Sequence, residues 1–179
     1  MTRKIILFLG MMILLTFTGC ESNGRVHDKN YLRAVSVSGD DKKTVTFTFF
    51  TKDGKYITTS GRDIAEAKEV AELRTGKKIF TGYTEMIVLD GKNSIDTLEF
   101  MLHKWKVSPS CIIAYSENEE NIFESSVERL RGSVENAVKQ GKAPECDIIT
   151  VMSGLLGEKQ SAQVAGISTE GITSIYTIN

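Results

Sequence analysis

The segment from Thr84 to Tyr115 constrains the fold most. Met86-Ile87-Val88-Leu89 and Cys111-Ile112-Ile113-Ala114 are short runs without a polar side chain, the pattern of strands covered on both faces. Between them Ile95, Leu98, Met101 or Leu102, and Trp105 recur at helical spacing as one apolar stripe. Asn93 and Asp96 stand at its start and Pro109 lies beyond its end. Such a strand-helix-strand unit predicts two parallel strands and a right-handed crossover, which excludes an all-β chain.

The residues before this unit read differently. Tyr31 to Ser38 is a strand with Val35 and Val37 alternating with serine, and Gly39-Asp40-Asp41 makes a turn. Thr44 to Phe49 alternates strictly, with Val45, Phe47 and Phe49 on one face and three threonines on the other. These two strands predict an antiparallel hairpin. Lys52-Asp53-Gly54-Lys55 reads as a second turn and Tyr56 to Thr59 as a short strand. A helix is expected from Ser60, with Asp63 completing a capping box, Ile64, Ala67, Val70, Ala71 and Leu73 toward the core, and Gly76 as its stop.

After Tyr115, apolar residues from Ile122 to Val138 predict one amphipathic helix. Gly132 inside it costs ~1 kcal/mol relative to alanine, leaving room for a bend or a close approach there. Asp147 to Leu156 is a second helix closed by Gly157, and Gln163 to Ser168 and Ile172 to Ile178 are strands. The fold class is α+β (α/β-like): a mixed β-sheet with packed helices, an N-terminal antiparallel hairpin leading into the strand-helix-strand unit. Strand order is not fixed by the pattern.

The first residues stand apart. Met1-Thr2-Arg3-Lys4 is a short positive segment, Ile5 to Phe17 is apolar apart from Gly10 and Thr16, and Thr18-Gly19-Cys20 follows. This is a signal peptide, too short to span a bilayer comfortably. Phe17-Thr18-Gly19-Cys20 resembles the lipobox of bacterial lipoproteins, in which the cysteine thiol carries diacylglycerol and becomes the new N-terminus. The competing reading is an ordinary secretory signal with an incidental cysteine. The expected organisation is a signal peptide over 1–19, a polar tether over 20–30 and one globular domain over 31–179, with Cys20 as the lipid-attachment residue.

Charge narrows the partners. The chain has 22 basic and 23 acidic residues, a net charge of −1, and loss of Arg3 and Lys4 with the signal leaves −3 on 160 residues. No basic excess points to nucleic acid.

Catalytic constellations are not found. His27 falls in the tether and His103 on the flank of the amphipathic helix. Met152-Ser153-Gly154 lacks the glycine that a nucleophile elbow places two residues before the serine. Gly76-Lys77-Lys78 is not a phosphate loop. Glu117, Glu119 and Glu120 precede a helix, where the macrodipole explains them. Beyond Cys20, only Cys111 and Cys146 remain, without metal-ligand spacing; one disulfide and two buried thiols both stay open. No catalytic residue, cofactor or metal site is assigned.

The block Gly76-Lys77-Lys78-Ile79-Phe80-Thr81-Gly82-Tyr83 leading into the Thr84 to Leu89 strand resembles the spore germinant-receptor C subunits, the Ger(x)C lipoproteins. That family has a Gly-Lys/Arg pair and an apolar-Phe-x-Gly-His stretch at this place; Tyr83 stands where histidine is common. The lipobox, the hairpin, the Gly61-Arg62-Asp63-Ile64-Ala65-Glu66-Ala67 helix start and the Ser110-Cys111-Ile112-Ile113-Ala114 strand follow in family order. Glu21-Ser22 departs from the family's Trp-Asp, and the family's larger C-terminal region is not found in these 179 residues.

The resemblance implies a non-enzymatic accessory subunit, or a truncated relative, of a nutrient germinant receptor. It would be lipid-anchored through Cys20 at the outer face of the inner spore membrane, beside integral-membrane A and B subunits. The alternative is an envelope lipoprotein that binds a ligand or serves as an adaptor outside germination.

Overall fold

A computed structural model describes residues 29–51, 55–118 and 121–179. The signal segment, Cys20, His27, most of the Lys52 to Lys55 turn, and Glu119 and Glu120 lie outside them. The described elements are β1 (Lys29–Ser38), β2 (Lys43–Phe49), β3 (Tyr56–Gly61), α1 (Ile64–Thr75), β4 (Lys78–Phe80), β5 (Met86–Leu89) and α2 (Ser94–Phe100). There follow β6 (Ile112–Tyr115), α3 (Val127–Lys139), α4 (Ile148–Leu156), β7 (Ala162–Ser168) and β8 (Gly171–Ile178).

The strands form one mixed sheet in the order β3-β2-β1-β5-β6-β7-β8, with β4 pairing β1. β1, β5, β6 and β7 run parallel, whereas β2, β3 and β8 are antiparallel to their neighbours. The hairpin and the parallel unit expected from the sequence therefore meet on β1. Its Val35 pairs with Phe47 on one side and Ile87 on the other.

Burial explains the continuous apolar runs. Met86, Ile87, Val88 and Leu89 are all buried, as are Ile113 and Ala114, because helices cover both faces of the central strands. On one face Trp105 packs on Phe47 with ring centroids 6.1 Å apart, and Thr59 Oγ1 donates to the Ala67 carbonyl at 2.7 Å. Those contacts hold α1 and α2 there, and α4 packs beside α2. On the other face α3 brings Val134 and Val138 over Ile112. Each fully buried aliphatic or aromatic side chain contributes about 1.5–3 kcal/mol.

Several local expectations are corrected. Ser60 lies in β3 with its hydroxyl 3.3 Å from that of Thr44. Asp63 is the N-cap of α1 and accepts from the Glu66 N–H at 2.8 Å, while Glu66 accepts from the Arg62 N–H at 2.6 Å. Leu73, expected in the core, is 83% exposed, and Val70 is only half-buried; Glu72 takes a buried position instead. The helix periodicity was misleading because small Ala67 and Ala71 set the packed face.

The stripe ending at Trp105 closes in a π-helical turn over Met101–Trp105, which brings both Met101 and Trp105 inward. The helix expected from Ile122 is split: Ile122–Glu124 is a short 3-10 turn and α3 begins at Val127. Ser125 breaks it in extended conformation, its hydroxyl donating to the Thr169 carbonyl at 2.8 Å. Nothing approaches the Cβ position of Gly132, so no close packing explains that glycine.

Candidate functional site

Parallel strands direct their carboxyl ends to one side, where ligand clefts of such sheets form. Here β6 and β7 end beside β8 in an open cleft of about 430 Å³, between Tyr115 to Asn118, Ile167 to Thr169 and Tyr176. Its most ordered feature is a ring pair. Tyr115 on β6 and Tyr176 on β8 stack face to face, centroids 3.5 Å apart and planes 3° from parallel, although β7 lies between their strands.

Glycine makes this contact possible. Gly166 pairs with Tyr115 on one side and Ser174 on the other, so the intervening strand offers no side chain where the rings lean across. A Cβ at Gly166 would come within 2.6 Å of Ser174 Oγ. Gly91, at φ 82° in the left-handed region, adjoins both rings; a Cβ there would lie 3.3 Å from Tyr176 and 3.5 Å from Tyr115.

The cleft's polar groups are hydroxyls, the Asn118 amide and the Glu117 carboxylate. They can orient a small ligand by hydrogen bonding. Nothing here pairs a nucleophile with a base.

The other residues weighed from the sequence are dispersed. His103 is exposed on the π-helical turn, and Ser153 is exposed within α4. Cys111 and Cys146 are free thiols, both buried, which settles the open alternative against a bridge. Burial pushes both thiols up; the Glu85 charge adds to this at Cys111. Among the described residues, no three His, Cys, Asp or Glu side chains converge as metal ligands do.

An ion-pair network ties α3 to the sheet. Glu85 receives Arg33 Nε at 2.9 Å and Arg131 at 2.7 Å, and Arg33 also reaches Glu128. Arg131 Nε further bonds Glu135 at 2.8 Å. Charge complementarity of this kind orients the helix on the sheet.

Sequence reasoning missed Tyr176 and the aromatic cluster at the opposite end of the sheet. There Tyr31, Phe80 and Tyr83 pack mutually, with centroid separations of 5.6, 5.9 and 5.2 Å. The signal for the first was an isolated glycine in a strand pattern; for the second, it was the short β4 hidden in the Gly76 to Tyr83 block.

Comparisons with curated proteins and with solved structures give no match. The family model described as the spore germination protein N-terminal domain matches residues 27–168, from just before β1 to the last residue of β7. With most of the described sheet and all four described helices inside that span, the chain belongs to the spore germination protein N-terminal domain family.

Proposed function

We propose that this chain serves as a lipid-anchored, non-enzymatic accessory subunit of a nutrient germinant receptor. In this reading diacylglycerol on Cys20 holds it at the outer face of the inner spore membrane, beside the integral-membrane A and B subunits. The family match over residues 27–168 carries the reading.

Two further observations support it. β1 begins at Lys29, nine residues after Cys20, a spacing suited to a surface tether. Two or more acyl chains give durable attachment where one would be marginal. No helix of the described residues is long and apolar enough to cross a membrane; attachment in this reading rests on the lipid.

Deletion of the gene should impair germination in nutrients while leaving vegetative growth unchanged, and Cys20→Ser should move the chain from the membrane to the soluble fraction. Normal germination across nutrients would overturn the receptor role; continued sedimentation of the serine variant would overturn the anchor. The Tyr115–Tyr176 cleft favours a second reading, a ligand-binding envelope lipoprotein outside germination. A small molecule at 100 times its Kd would then raise stability by ~2.7 kcal/mol in a melting scan, with germination unaffected by deletion.

A further inference from the structure

We propose that the end of the sheet where β1 begins is a membrane-docking surface for anionic phospholipid headgroups, formed by Tyr31, Phe80 and Tyr83 ringed by Lys29, Lys104 and Lys106. The proposal rests on the lipid-anchor reading above.

Three observations place the surface. Phe80 is 38% and Tyr83 62% exposed, yet both rings are held in the Tyr31 cluster rather than scattered singly. Gly82 keeps them there, since a Cβ would press within 3.0 Å of the Phe80 ring. Tyrosine rings, apolar with a polar tip, suit the headgroup region of a bilayer.

The charge at this end has one dominant sign. Lys29 Nζ sits 5.9 Å over the Phe80 ring, and Lys104 shares a cavity with Lys29 and Phe80. Lys106 adjoins Gly82 through its carbonyl and is exposed. Of the acids nearby, Glu72 is already engaged by Lys68, Lys78 and the Ile79 N–H, leaving Glu69 on the rim. In a chain of net charge −1, lysines gathered around exposed rings give that end a positive face.

The tether places a bilayer within reach of the patch. Nine residues from Cys20 to Lys29 reach at most about 30 Å when fully extended, and the residues where they arrive, Lys29 and Tyr31, belong to the patch. A lipidated Cys20 therefore keeps this end of the sheet within about 30 Å of the headgroups. Docking then adds orientation: it points the carboxyl-end cleft, at the far end of the parallel strands, away from the bilayer.

The test uses the full chain, lipidated in its host and reconstituted in vesicles with brominated acyl chains, with and without phosphatidylglycerol. Tyr83→Trp reports on the patch, Thr173→Trp on the cleft, and the unsubstituted chain measures the background from buried Trp105. Mass spectrometry reads the lipid on Cys20 independently.

Docking predicts strong quenching at position 83 on anionic vesicles and none at 173. Each of Lys104→Ala and Lys106→Ala should lower the docked-to-undocked ratio about five-fold. A lipidated chain with position 83 unquenched overturns the docking surface and leaves the anchor standing. Quenching equal on neutral vesicles, or unchanged by the lysine variants, overturns the anionic recognition. Protection of position 83 only when integral-membrane receptor subunits are present assigns the patch to protein and overturns the proposal. A chain without lipid mass overturns the anchor and the docking surface together.

Discussion

Glu72 and Lys78 form an ion pair of 2.7 Å across the connection from α1 to β4. The same carboxylate accepts from Lys68 Nζ at 2.6 Å and from the Ile79 N–H at 2.9 Å. One acidic side chain on the inner side of a helix thus pins the three-residue strand that carries Phe80.

Loss of this anchor should be visible in stability and in its pH dependence. Burial raises the Glu72 pKa, but hydrogen bonds from Lys68, Lys78 and Ile79 outweigh it and leave the carboxyl below its ordinary 4.5. A folded-state pKa lowered in this way adds stability that is fully present above the unfolded value and fades as pH falls through the folded one. Glu72→Ala should cost about 1.5–3 kcal/mol at pH 7 by urea denaturation. The gap from the unsubstituted chain should narrow below pH 4.5; a pH-independent gap would contradict the account.

The Glu85 network offers a comparison within one cluster. Glu85 is shared by two guanidinium groups, and Arg33 is mostly buried. Glu85→Ala should cost about 1.5–3 kcal/mol, whereas Glu128→Ala, removing a side chain 65% exposed, should cost less than ~1 kcal/mol. A double-mutant cycle between Arg33 and each acid measures the difference, and equal coupling energies would contradict it.

Two glycines should respond in opposite senses. A Cβ on Gly61 would lie 2.6 Å from the Ala67 nitrogen and 2.9 Å from Glu66 Cβ, so Gly61→Ala should destabilise by about 1–3 kcal/mol. Gly132 lies within α3 with open space around it, and Gly132→Ala should stabilise by about 0.5–1 kcal/mol. Thermal melts of the two variants should move apart.

The buried thiols should be chemically silent. Cys111 and Cys146, free and pushed toward the neutral form by burial, should resist iodoacetamide in the folded chain at pH 8 and react together in denaturant. Rapid labelling of either without denaturant would show that its cover opens.

The sequence made the central architecture legible because burial leaves a direct trace: Met86 to Leu89 and Ile112 to Ala114 had to be covered on both faces, and Val45, Phe47 and Phe49 had to alternate. Finer features depended on contacts between residues far apart in the chain. β4 is three residues long and exists through its pairing with β1, and Ser125 breaks a helical pattern by reaching a carbonyl 44 residues away. The Tyr115–Tyr176 stack depends on a strand order that no local pattern encodes. The family resemblance is legible in the sequence where no site is, because ordered short motifs accumulate along a chain while a binding surface is assembled across it.

β1 is both the first described strand and an interior one. Lys29 to Tyr31 pair with β4, Ala34 to Val37 pair with β5, and Leu32 to Ser38 pair with β2 along the opposite edge. Tension transmitted from the chain ahead of Lys29 therefore meets hydrogen bonds on both flanks, shared among three partner strands and loaded together wherever the pull follows the strand axis. An edge strand in the same place could peel away one bond at a time. If the proposed lipid on Cys20 carries load, the topology gives it a mechanically protected strand to pull on.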